Sequence, residues 1–342
     1  MKKRNSFFLF LVSALFLIPF KLEKGGKSLL SSRVGREKLT HTYSIVARDK
    51  ESGELGVAVQ SHWFSVGAIV SWAEAGVGAV ATQSFVEPSY GPLGIYLMKR
   101  GKSAPEALKA LLEIDSQKEV RQVAMIDSKG RVAVHTGKLC IAEAGHVIGE
   151  EFSCQANLML KDTVPKAMAE AYQRTKGDLI DRLMAALEAA EQEGGDIRGR
   201  QSAAILVVSG KPSSQPWKDR IIDLRVEDHP QPLEELKRLI RVHRAYEHMN
   251  RGDEFVALGD IEGALREYQA AERLSPENLE MVFWHAVTLA SLERVDEALP
   301  LFKRVFAADR NWAILLPRLP KSNLLPDKPE LIEKILSVAR EE

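Results

Sequence analysis

The chain has little cysteine, with Cys140 and Cys154 the only two in 342 residues. No CxxC pair and no Cys/His spacing of the zinc-holding kind occurs, and the 8 histidines make neither HExxH nor a close pair on one helix face. No metal is therefore expected. The cysteines read either as a bridge, if the compartment is oxidising, or as two buried thiols. Net charge is also absent, because Lys+Arg and Asp+Glu both count 47. Neutralising phosphates takes clustered Lys and Arg, so a balanced chain with no basic stripe argues against nucleic-acid binding. The glycine-containing stretches GVGAVAT and GGDIRGRQ match no phosphate loop and read as turns and close packing. No cofactor is expected.

What is present is apolar material, 45% of residues, enough for real cores. The length suggests two domains beyond a leader. Met1 to Phe20, MKKRNSFFLFLVSALFLIPF, has a basic start and an apolar run from Phe7 to Phe20, the layout of a secretory signal. That run falls short of the roughly 20 apolar residues of a permanent span. Export to a periplasmic or extracellular space is thus favoured over anchoring. No clean A-x-A site follows, and Gly26 and Ser28 are the best small pair, so an uncleaved membrane tether is the alternative. Residues 1–28 are assigned as signal or anchor. The Gly-, Ser- and Lys-rich stretch GGKSLLSSRVGREK reads as a tether, and 29–41 are assigned to it.

From Thr42 the pattern changes to short β segments closed by Gly-containing turns: TYSIVA, ELGVAVQS, VGAIVSWAE and VGAVATQS, read as a four-stranded antiparallel meander. EPSYGPLGIYLMKRG and SAPEALKALLEID read as helices, the second capped by Ser103 with Pro105 in its first turn. RQVAMIDSKGRVAVHTG is a hairpin. Val164 to Thr175 and Asp178 to Glu193 are helical, and QSAAILVVSG and RIIDLRVED return to strand. Runs of strands followed by runs of helices point to layered α+β rather than a βαβ fold. Two sheets face to face with helices outside, a four-layer αββα sandwich over 42–228, would bury both faces of every strand.

Residues 229–342 read as continuous helix. Ala264 aligns with Ala298, Leu265 with Leu299 and Tyr268 with Phe302 at the 34-residue tetratricopeptide period. Gly252, Phe255, Ala264, Tyr268, Ala271 and Pro276 resemble that repeat family's pattern of small, large, small, aromatic, small and closing Pro positions. The second unit has Arg310 where Pro is usual. Such a tetratricopeptide-like (TPR-like), all-α domain implies a protein partner, a structural appendage or a homo-oligomer contact. Two repeats are fewer than usually stand alone, so they are expected to lean on the first domain.

A domain that opens at a Thr suggests one chemistry. With Thr42 N-terminal, its hydroxyl lies beside a free α-amine whose ordinary pKa is near 8, so one residue supplies nucleophile and general base. TYSIVARDKESGELGVAVQSHWFSVGAIVSWAEAGVGAVATQSFVEPSYGPLGI, with RQVAMIDSKGRVAVHTG, QANLML and EGGDIRGRQSAAILVV, closely resembles the DUF1028 family, which is grouped by fold with the N-terminal nucleophile (Ntn) hydrolases. The resemblance covers roughly Thr42 to Asp228. It implies an αββα, Ntn-hydrolase-like fold and no substrate; together with the leader and Thr42, the favoured reading is an exported amidohydrolase acting on a small amide or peptide bond after His41–Thr42 is cut. Thr42, Ser44, Ser61, Gln83 and Asn157 become candidate catalytic residues. Ser44 shares the face of Thr42 by strand alternation and reads either as orienting the amine or as a bonded core serine. His62, Ser84, Arg200 and Gln201 become candidate substrate-binding residues, with Arg200 either gripping a carboxylate or pairing with Asp196. Thr82-Gln83-Ser84 would place backbone N–H groups for an oxyanion site. The competing reading is a non-catalytic extracytoplasmic binding or scaffold protein that works through its repeats.

Overall fold

Short β-branched segments need a partner on each edge and cover on each face. The computed structural model, which describes residues 38–340, shows how they find both. The strands are β1 (Lys38–Thr40), β2 (Thr42–Arg48), β3 (Leu55–Ser61), β4 (Ser71–Glu74), β5 (Gly78–Val86), β6 (Arg121–Asp127), β7 (Val132–Thr136), β8 (Gly145–Gly149), β9 (Phe152–Ala156), β10 (Ser202–Val208) and β11 (Arg220–Val226). One sheet has the order β11-β10-β3-β2-β9-β8, and the other β1-β5-β6-β7 with β4 also on β5. All pairings are antiparallel. Because β6 covers one edge of β5 from Gly78 to Ser84, β4 and β1 lie end to end along the other edge, at Gly78–Ala81 and Ser84–Val86.

Strand alternation sorts the side chains. Val46, Leu55, Val57 and Val59 of one sheet meet Ala79, Ala81, Ala124 and Ile126 of the other in a shared buried core. Tyr43, Ile45, Phe152 and Cys154 face the opposite way, against helices α4 (Val164–Arg174) and α5 (Leu179–Glu193). Val80, Val123 and Met125 face helices α2 (Tyr90–Lys99) and α3 (Ala104–Ile114). Ser103 caps α3 in a full capping box with Glu106, and Asp178 caps α5, satisfying N–H groups that a helix start leaves unpaired. The domain is thus mixed α+β with two sheets.

The expected meander is corrected. VGAIVSWAE is one short helix, α1 (Gly67–Val70), followed by β4, and β2–β3 belong to a different sheet from β4–β5. The chain must cross between sheets here, and it does so in close contact with β10: a Cβ on Gly67 would lie 2.4 Å from Cβ of Ala204. Val66 and Val70 fill the inter-sheet core. The β propensity of the segment yields to that packing.

The leader and most of the tether lie outside the described residues. The tether's last residues are described, and they are not a tether: Lys38–Thr40 pair with Ser84–Val86, and Thr40 and His41 are buried. Unpaired backbone groups at the β5 edge supply the reason, since a strand laid along them satisfies both sides. Both cysteines are free; Cys154 is buried among apolar side chains, and the Cys140 thiol donates to the Arg121 carbonyl. Burial pushes both thiols up in pKa.

Helix α6 (Pro232–Ala257) joins the two regions. Leu233, Leu236 and Ile240 pack in the α4–α5 core, while Ala245 and Met249 pack in the core of the tail. It pairs with α7 (Ile261–Leu274), and α8 (Leu279–Ser291) pairs with α9 (Val295–Ala308), with α10 (Asn311–Leu315) and α11 (Pro329–Ser337) after them. The repeat's small and aromatic positions meet: a Cβ on Gly252 would lie 2.4 Å from the Tyr268 ring, and Tyr268 is buried with its hydroxyl donating to Asp253. Among the described residues no helix is long and apolar enough to cross a membrane.

Candidate active site

The inter-sheet core is apolar at one end and polar at the other. Ser44 precedes Val46 on the inward face of β2, and Gln83, Gln122 and Gln155 stand at inward positions of β5, β6 and β9. Ser44, Gln83, Gln122, Gln155 and Asn157 are all fully buried. A buried amide costs free energy unless its donors and acceptors are met, and these satisfy one another. The Ser44 hydroxyl donates to Gln83 Oε1 (2.6 Å) and accepts from Gln155 Nε2 (2.6 Å). Gln83 Nε2 donates to Gln122 Oε1 (2.7 Å) and to the Thr42 carbonyl (3.2 Å). Asn157 Nδ2 donates to the same Gln122 oxygen (2.8 Å), and Gln122 Nε2 donates to the Ala156 carbonyl (2.9 Å) and Thr136 Oγ1 (2.9 Å).

At the rim of this layer the chain changes sheets. β1 belongs to one sheet and β2 to the other, so the His41–Thr42 peptide bond lies at the crossing. Its carbonyl, that of His41, accepts from the Ser61 hydroxyl (2.6 Å) and from Arg198 Nη2 (2.8 Å). Ser61 is placed by register, directly opposite Thr42 across the β2–β3 ladder. Arg198 is held as a fork on Asp196, Nε to Oδ1 (3.0 Å) and Nη2 to Oδ2 (2.6 Å), and the Asp196 side chain is itself buried and accepts the His62 N–H (3.2 Å). The Thr42 hydroxyl donates to the Thr40 carbonyl (2.9 Å), and Thr42 is fully buried.

His41 is almost wholly buried. Its Nδ1 donates to Asn157 Oδ1 (2.8 Å), and its ring meets Phe85 edge to face at 5.6 Å between centroids. Nε2 has no partner among the described residues. Burial lowers the imidazole's pKa, the Asn157 bond opposes this, and the Arg198 charge adds to the lowering. The neutral form of the ring is therefore favoured relative to a free imidazole.

Thr42, Ser44, Ser61, Gln83 and Asn157 thus come together as a connected group. Ser84 lies beside them, on the rung where β5 meets Thr40. His62 contributes its backbone, with its ring on the Arg200 carbonyl (3.3 Å). Arg200 and Gln201 adjoin the group by backbone, the Gln201 N–H donating to the Ser61 carbonyl (3.2 Å), while their side chains turn away: Arg200 pairs with Glu191, which also takes the Tyr43 hydroxyl, and Gln201 donates to Asp228 at the surface. The Asp196 partner is Arg198. The Ser44 hydroxyl is bonded on both sides, to Gln83 and Gln155, with Thr42 in peptide linkage. The donors on the His41 carbonyl are a hydroxyl and a guanidinium, in place of the expected backbone N–H groups after β5. Gln122 and Gln155 escaped the sequence reading, although each is a glutamine at a core position of a mostly apolar strand, which is a legible signal. Two cavities among the described residues lie away from this site, one of 870 Å³ around Trp72 and Pro212 and one of 560 Å³ in the tail between Ala290 and Leu331.

A two-sheet α+β domain with a polar seam at its sheet crossing, joined to paired repeat helices, is the class this architecture defines. Residues 42–236, over half of the chain, match the family of unknown function DUF1028, and the chain belongs to that family. Residues 249–311 match the tetratricopeptide repeat. The crystal structure of a DUF1028 protein from Silicibacter pomeroyi is similar, with 29% identity and a TM-score of 0.54 over 59% of this chain and 85% of that one. No curated protein matches.

Proposed function

We propose that the chain is the precursor of an exported Ntn-type amidohydrolase with Thr42 as its nucleophile and a four-layer αββα, Ntn-hydrolase-like domain as its scaffold. The observation that carries this reading is the pair of donors, Ser61 Oγ and Arg198 Nη2, on the carbonyl of the bond that must be cut. Donors on both sides draw electron density from that carbon and sit where an oxyanion would form. Asp196 fixes the guanidinium, so little reorganisation is needed as charge develops.

Attack by the Thr42 hydroxyl on the His41 carbonyl would give an ester and free the α-amine, and water would then release the segment before it. In the cut form the amine takes the hydroxyl proton as Oγ attacks a substrate amide. The amide C–N bond breaks, the leaving nitrogen carries the proton away, and water hydrolyses the Thr42 ester to acid. The described form is the uncut one, with the hydroxyl held by the Thr40 carbonyl. The basic start and apolar run of the leader support export.

The second reading, a non-catalytic binding or scaffold protein, is favoured by the tetratricopeptide match, since such repeats generally mediate protein–protein contacts. Intact mass and N-terminal sequencing of full-length protein held at neutral pH separate the two. The hydrolase reading expects a chain starting at Thr42, formed more slowly in Ser61→Ala and Arg198→Ala. A stable chain with Thr42 still inside a peptide bond, from cells and after incubation, would leave the scaffold reading standing.

A further inference from the structure

We propose that the site takes the acyl part of its substrate as an extended peptide laid along the β5 edge that β1 now covers, with a hydrogen-bond-donating ring in the place of His41. The proposal rests on the hydrolase reading and deepens it. The chain's own segment before Thr42 is already seated as the acyl side of a scissile amide. Its carbonyl is the one between Ser61 and Arg198, and its residues run antiparallel to β5 with Thr40 opposite Ser84, Leu39 opposite Phe85 and Lys38 opposite Val86. β4 ends at Ala81 on that same edge. Removing β1 would therefore leave the β5 edge at Ser84–Val86 open to another strand, apart from the Phe85 carbonyl, which accepts from Arg121 Nη1 (2.6 Å), and adding a strand to an open edge is how an extended peptide joins a sheet.

The residue next to the scissile carbonyl has a fitted place of its own. Asn157 Oδ1 takes the ring N–H at 2.8 Å and the Phe85 ring packs against the His41 ring at an interplanar angle of 84°. Asn157 is held in turn by Gln122, so its oxygen is aimed before a ligand arrives. Ser84, where the peptide would first pair, has a left-handed backbone (φ 74°), uncommon for a residue with a side chain and frequent where a chain grips a ligand. A chain that leaves through such a site marks the shape of what enters: an acyl peptide ending in a histidine-like residue, its amide nitrogen directed to Thr42.

The test replaces Lys38–His41 of the full chain with the four-residue factor Xa sequence, so that cutting leaves Thr42 first. The probes are acetyl-Lys-Leu-Thr-His-aminomethylcoumarin, its Ala-for-His analogue and acetyl-His-aminomethylcoumarin. The tetrapeptide with His should exceed both others in kcat/KM by about tenfold or more, the scale of one lost buried hydrogen bond or of the lost strand contacts. The free acid acetyl-Lys-Leu-Thr-His should raise the melting temperature of the cut chain and leave that of the uncut natural chain unmoved, since β1 fills its site. Equal rates for the three probes, with turnover abolished by Thr42→Ala, would overturn the peptide subsite and keep the hydrolase. Binding of the free acid with preference for His, but no amide turned over, would keep the subsite and overturn the hydrolase. A cut chain that melts cooperatively and ignores the free acid overturns the subsite. Should the cut chain fail to fold, hydrogen exchange in the uncut chain decides: His41→Ala should speed exchange of the Phe85 and Thr40 amides by about tenfold or more, and unchanged exchange would count against the fitted ring.

Discussion

Replacing Gln122 by Met tests whether the polar layer under Thr42 is held by its own bonds. Met keeps nearly the same length and fills nearly the same volume, so the change acts mainly on hydrogen bonding. The Oε1 of Gln122 receives both Gln83 Nε2 (2.7 Å) and Asn157 Nδ2 (2.8 Å). With it gone, Gln83 Nε2 keeps only the longer contacts to the Thr42 carbonyl (3.2 Å) and the Gln155 carbonyl (3.4 Å), and Asn157 Nδ2 keeps one at 3.5 Å. Each buried donor so deprived costs about 1–3 kcal/mol, and the Ala156 and Gly145 carbonyls and Thr136 Oγ1 lose the Gln122 Nε2 donor as well, so the variant should lose at least about 2–6 kcal/mol, the sum over the two donors alone. Guanidinium unfolding at neutral pH followed by circular dichroism measures it, with the midpoint falling and the slope unchanged. A loss under about 1 kcal/mol would refute the reasoning, because it would mean that Gln83 and Asn157 find other partners at no cost.

Gly252→Ala sets helix propensity against packing: propensity alone predicts about 1 kcal/mol of stabilisation, while the new Cβ would lie 2.4 Å from the Tyr268 ring. A net loss read by urea unfolding is expected, and a gain would show that α6 and α7 do not approach so closely. Residues 233–342 expressed alone should not melt cooperatively near the full-chain midpoint, since Leu233, Leu236 and Ile240 then lose the α4–α5 core they share. Burial lowers the pKa of His41 from 6.5, with the Arg198 charge adding to the effect. The unfolded chain therefore binds more protons just below that value, and stability should fall on acidification from about pH 6.5, by at most about 1.4 kcal/mol per pH unit for this buried histidine. His41→Gln should flatten that slope in unfolding titrations between neutral pH and about pH 5, and an unaltered slope would mean that His41 is as free to protonate folded as unfolded.

Much of the architecture was legible because it is local. Ser103 with Pro105 announces α3, the helical spacing after Asp178 announces α5, and the small and aromatic spacing of Gly252 and Tyr268 announces a helix pair. The site was legible where alternation carries it: Thr42, Ser44 and Ser61 are named by their places on β2 and β3. What escaped the sequence is tertiary. The three residues Lys38–Thr40 have no strand pattern of their own, and only the uncovered edge of β5 makes them one. Val66 to Val70 look like a strand by composition, yet the crossing between sheets forces a helical turn there. Arg198 and Arg200 are chemically alike and two positions apart, so only the fold shows that Arg198 reaches the His41 carbonyl while Arg200 turns outward to Glu191.

The central claim, that Thr42 is a nucleophile once its amine is free, is tested most directly by acylation of a chain that begins at Thr42. Such a chain, treated with an activated acyl ester and digested, should carry the acyl group as an ester on Thr42 Oγ or, after transfer, as an amide on its α-nitrogen. The uncut chain should carry none there, because its hydroxyl is buried against the Thr40 carbonyl and its nitrogen is acylated by His41. Peptide mapping by mass spectrometry reads both, and the account predicts modification at Thr42 that Thr42→Ala abolishes together with amide turnover. Amide turnover that survives Thr42→Ala, with no label on Thr42 in the natural sequence, would contradict it.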